Sequence, residues 1–115
     1  MELSKADKKV ARTIIEKGLQ QEFENGLNEF YQLLKDWKAN STDNRDVYHD
    51  LYGRVREFDK HIAWRYDRMS GRNYIFIVAN QLIEGHVKDE DLSGFSDEAR
   101  NYVYRIQKLR EEPDE

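Results

Sequence analysis

The residues with most chemistry to offer are three histidines, His49, His61 and His86, and a run of arginines through the middle of the chain. A di-iron centre in a helical bundle needs Glu-x-x-His on two helices and further glutamates facing inward. No Glu-x-x-His occurs, and Asp46-x-x-His49 is a single partial imitation. Glu57 and His61, four residues apart, share a helix face and offer two ligands, but that spacing also makes an ordinary pair on an exposed helix. There is no cysteine, which removes thiolate zinc sites, disulfides and cysteine nucleophiles together. The serines, Ser4, Ser41, Ser70, Ser93 and Ser96, all stand in turn or capping contexts, and none sits on a glycine-flanked nucleophile turn. Neither a phosphate-binding loop nor a dinucleotide fingerprint is present. The expectation is a protein without enzymatic activity, cofactor or bound metal.

Arginine supplies the least ordinary pattern. Arg54, His61, Arg65 and Arg68 fall along one edge of a helical stripe, interleaved with Asp50 and Glu57, and Arg65 lands inside the apolar arc. A charge tilted inward must find acceptors. One reading pairs Arg65 with an acid from a neighbouring helix, and Asp50 with Arg54 and Glu57 with His61 as local pairs. The other makes the same edge an anion or nucleic-acid site with Arg54 and Arg65 as its fork. The first is preferred and the second is the alternative function.

Charge is uneven along the chain. Residues 54–72 hold six Lys or Arg against three acids, and residues 84–98 hold six acids against one lysine. The two stretches are suited to complement each other, within one chain or between copies. Three aromatics, Tyr52, Trp64 and Tyr104, fall off the apolar stripes of their helices, and leftover aromatics beside arginine are characteristic of interface cores. They make the candidate interface. The expected function is therefore non-catalytic: self-association into a homo-oligomer, or docking on a protein partner.

The elements that must carry these residues read as helices throughout. Ser4 with Asp7 three positions on resembles a capping box and opens the first helix. Val10, Ala11, Ile14 and Ile15 form one stripe, and Leu19, Phe23, Leu27, Phe30, Leu33, Leu34 and Trp37 form a second, about 140° away. Gly18 lies at that phase change and is the candidate kink or break, whereas Gly26, on the second stripe, predicts close packing against another helix. The stretch from Ala39 to Asn44 is a turn. Val47, Leu51, Val55, Phe58, Ile62, Tyr66 and Met69 repeat at helical spacing, and that face is expected to be core.

Tyr74 to Ala79 has the β-branched content of a strand, but Ile75, Val78, Ala79, Leu82 and Ile83 keep helical spacing up to Gly85, a C-terminal stop. Asn80, Gln81 and Glu84 are its expected polar strip. Ser96 caps a last helix with Ala99, Tyr102, Val103, Ile106 and Leu109 as its core face.

With 115 residues there is room for one domain, expected to be an all-α antiparallel bundle of four helices, or five if Gly18 breaks the first. Residues 111–115 are expected to form a disordered tail. Charged residues make up 37% of the chain, yet a net charge of −4 and 12% aromatics place it among folded proteins. The acidity opposes a broad nucleic-acid footprint. No apolar run approaches the roughly 20 residues of a membrane span, and a cytoplasmic location is expected.

Overall fold

A computed structural model describes residues 2–40 and 43–111. The fold is all-α: α1 (Lys5–Asn40), α2 (Asn44–Tyr66), α3 (Tyr74–Ile83) and α4 (Asp97–Glu111), with a short 3-10 turn at Asp89–Leu92 before α4. Among the described residues there is no strand. The chain divides into two compact units, residues 1–21 with 69–115 and residues 22–68, so that α1 lends its first half to one and its second half to the other.

The first unit has a well-sealed core. Ala11, Ile14 and Ile15 of α1, Ile75, Val78, Ala79 and Leu82 of α3, and Ala99, Val103 and Ile106 of α4 are all buried, as are Val87, Leu92 and Phe95 of the segment between α3 and α4. Tyr74 to Ala79 is helical, as the spacing of Ile75, Val78, Ala79 and Leu82 predicts, and these four residues are buried. Gln81, expected on a polar strip, is instead wholly buried, and its amide donates to the Ile15 carbonyl at 3.0 Å. The same contact explains Gly18. A methyl group there would collide with the Gln81 amide, and α1 runs unbroken through the position. Gly18 thus marks close approach between α1 and α3 and not a break, which leaves four α-helices among the described residues.

Gly85, at φ +80°, ends α3: its N–H donates to the Leu82 carbonyl and that of His86 to the Gln81 carbonyl, the paired closure of a Schellman end. The caps at the two ends of the chain are joined. The Asp7 N–H donates to Ser4 Oγ, while the Asp7 carboxylate accepts from the Ser96 N–H (2.9 Å) and hydroxyl (2.6 Å), and Ser96 Oγ accepts from the Ala99 N–H. Leu109, expected in the core face of α4, is 64% exposed in the last turn of that helix. Helix α4 continues to Glu111; the rest of the tail, residues 112–115, lies outside the described residues.

The second unit is an antiparallel hairpin of residues 22–40 and α2. Ser41 and Thr42 at the centre of its expected turn lie outside the described residues. Asp43 caps α2 by accepting from the N–H groups of Arg45 and Asp46, and Trp37 Nε1 donates to Asn44 Oδ1 at 2.9 Å. At mid-length Gly26 admits Phe58, whose ring lies so close that a Cβ at Gly26 would stand 2.7 Å from it. Phe58 also meets Phe23 and Phe30 edge-on, with centroids 5.8 and 5.9 Å away. Here the expectation of a closed core fails: α2 has no buried apolar residue. A helix in a two-helix unit has one neighbour, which covers the side around Phe58 and leaves the other flank of the stripe open. Met69 lies beyond the end of α2.

Candidate functional site

Of the cationic residues singled out by the sequence, two converge. Arg65 donates from Nη1 to Glu22 Oε1 at 2.6 Å, His61 Nε2 lies 3.2 Å from the same oxygen, and the Tyr66 hydroxyl donates to Glu22 Oε2. Glu22 and Arg65 are both buried, with side chains 3% and 7% exposed. A buried charge without a partner costs several kcal/mol, so Glu22 on α1 is what makes the inward tilt of Arg65 tolerable. The arrangement ties the open end of the hairpin, with both carboxylate oxygens occupied by donors. His61 therefore faces Glu22, and the local partner of Glu57 is Lys60 at 3.3 Å. Arg54 does pair with Asp50, at 3.0 Å, and lies 3.6 Å from Glu29. Arg68 is exposed beyond the end of α2.

The acidic stretch 84–98 has partners of its own. Asp91 pairs with Lys17, and Asp97 with Arg100. The Lys17 ammonium and the Lys88 N–H hold the Asp91 carboxyl below its ordinary value.

Of the three aromatics marked as an interface, Tyr104 lies in the first unit and Tyr52 and Trp64 in the second. Tyr104 is half-buried in the first unit, where burial and the neighbouring Asp89 raise its phenol above the usual value. Trp64 and Tyr52 are both on α2, 78% and 58% exposed, but point about 120° apart.

Around Tyr52 the structure gathers Tyr48 and residues that the periodicity assigned to apolar stripes. Phe23, Leu27, Tyr52 and Val55 border one groove along the hairpin with the inner rings of Phe30 and Phe58, and Leu34 and Tyr48 border a second with Trp37 and Leu51. Leu27 is 65% exposed and Tyr48 63%; Phe23, Leu34 and Val55 are exposed as well. The result is an apolar face two helices wide. Arg56 and Asp59 lie in its border, and Lys38 and Arg45 are exposed near the connection. The available sequence signal was the sum of two stripes: a hairpin has one internal interface, and two helices that each carry a stripe about 100° wide hold more apolar surface than that interface hides.

Chemically the face can do one thing, which is to exclude water against another apolar surface. It contains no nucleophile and base in contact. Matched against protein-family models, curated proteins and solved structures, the chain resembles none.

Proposed function

We propose that this chain acts by binding protein through the open face of the hairpin and performs no catalysis of its own. The observation that carries the reading is the exposure of Leu27 on α1 beside Tyr48, Tyr52 and Val55 on α2, a helix that buries no apolar residue. Scattered exposed apolar residues are normal, but a contiguous patch of aromatic and aliphatic side chains bordered by charges marks a docking surface. Its composition, tyrosine, phenylalanine and leucine with arginine at the rim, matches that of interface cores. Covering such a patch returns about 25 cal/mol for each Å² of apolar surface removed from water, against the cost of association. The pairing of Arg65 and His61 with Glu22 supports a structural role for those two residues, and so favours docking over anion binding.

The test is site-specific photo-crosslinking in the source cell. Benzoylphenylalanine at position 52 is expected to yield discrete protein adducts, and at position 64, on the other side of α2, none. Absence of adducts at position 52, or equal yields at both, overturns the reading.

A further inference from the structure

The occupant of the face can be argued from its shape and its charges. Between Phe23 and Lys38 the face is about 24 Å long and two helices, or about 20 Å, wide, so two such faces would bury about 960 Å² in all, close to the roughly 1,000 Å² that a specific interface of modest affinity needs. Two hairpins joined over these faces make a four-helix bundle, the arrangement in which a two-helix unit with one open apolar side becomes closed. The charges say which way round. Gly26 stands against Phe58 and Trp37 beside Asn44. Asp59 and Glu24 therefore share the end of the hairpin away from its connection, and Lys38 and Arg45 share the end beside it; all four are exposed.

We infer that the partner is a second copy of this chain, packed face to face and antiparallel, so that the two connections lie at opposite ends of the bundle. This rests on the docking reading above. In the antiparallel arrangement the Lys38 and Arg45 end of each copy meets the Glu24 and Asp59 end of the other, and the same register sets Arg56 near Tyr48 of the other copy, where a guanidinium over a phenol ring is attractive. With the connections at the same end, Lys38 would meet Arg45 and Glu24 would meet Asp59, a repulsion at both ends. The pattern is self-complementary in one orientation only, as an isologous two-fold contact requires.

Sedimentation velocity of the full chain at 1–100 µM, ~1–100 times a micromolar dissociation constant, is the experiment. The expected species has twice the 13.8 kDa chain mass. Leu27→Glu, at a solvent-exposed position, is expected to give monomer with unchanged helical circular dichroism, and Tyr52→Glu to do the same. Arg45→Glu and Asp59→Lys are each expected to weaken dimerisation about fivefold, and the double variant to recover most of the loss. A monomer at every concentration overturns the second-copy inference. If position 52 then still crosslinks to a protein of another mass, the docking reading stands with a different partner; if it does not, both fall. A dimer indifferent to Leu27→Glu and Tyr52→Glu overturns the face, and one strengthened by Arg45→Glu overturns the antiparallel arrangement.

Discussion

Asp7 shows how one side chain can link elements that are far apart in sequence. Burial pushes its carboxyl up, but the Ser96 N–H and hydroxyl and Ser4 pull harder, and the net result is a value below the ordinary 3.8. A carboxylate whose folded value is depressed contributes stability that is complete above its unfolded value and is lost as the pH falls through the folded one. Denaturant unfolding followed from pH 6 downward is thus expected to show stability declining once the pH drops below about 4. In Asp7→Asn that portion of the slope should vanish, with lower stability at pH 6, because an amide cannot accept from both Ser96 donors through two carboxylate oxygens. An unchanged slope would mean that the joined caps of α1 and α4 contribute nothing. The sequence displayed half of this contact: Ser4 was legible as a cap from its spacing to Asp7, but Ser96, 89 residues on, is a partner that only the tertiary arrangement reveals.

At the scale of the element, two glycines on the same hairpin should respond in opposite ways. Nothing lies within 4 Å of a Cβ built on Gly53, which sits inside α2 with ordinary helical backbone. Gly53→Ala is expected to stabilise the protein by about 0.5–1 kcal/mol, since alanine loses less backbone entropy in a helix. Gly26→Ala should destabilise it by about 1–3 kcal/mol, because the methyl group displaces the Phe58 ring and with it the edge contacts to Phe23 and Phe30. Thermal melts of the two variants check both signs.

Periodicity alone found the helical nature of Tyr74 to Ala79 and the stop at Gly85, because each is decided by neighbours within one or two turns, and it found Gly26 from its place on the apolar stripe, although the partner, Phe58, is 32 positions away. It misjudged Gly18 and Gln81, whose roles depend on a contact across 63 positions of sequence. It also took the stripe of α2 for core. A stripe records which side of a helix is apolar; whether that side is covered depends on how many neighbours the fold supplies, and α2 has one in its unit. Tyr52 was singled out because it left the stripe; Tyr48 belongs to no stripe, and the surface both belong to was missed because its other exposed members, Phe23, Leu27, Leu34 and Val55, kept to the stripes of their helices.

For the molecule as a whole, the two units differ in what resists opening. In the first, six of the ten residues of α3 are buried; in the second, α2 has no buried apolar residue. Local opening costs as much as the buried surface and hydrogen bonds that must be exposed, so amide exchange should separate the units even though α1 is continuous through both. In hydrogen exchange read by mass spectrometry at submicromolar concentration, peptides from residues 5–21 and α3 are expected to exchange at least about tenfold more slowly than those from residues 22–40 and α2, an opening difference of about 1.4 kcal/mol. The step should fall inside a single helix, close to Glu22, whose pairing with Arg65 closes the open end of the hairpin. Raising the protein concentration should slow exchange in residues 22–40 and α2 and leave α3 unchanged, since association covers only the hairpin face. Uniform protection along α1 would show that the units open together, and concentration-dependent protection confined to α3 or α4 would place the association surface on the first unit.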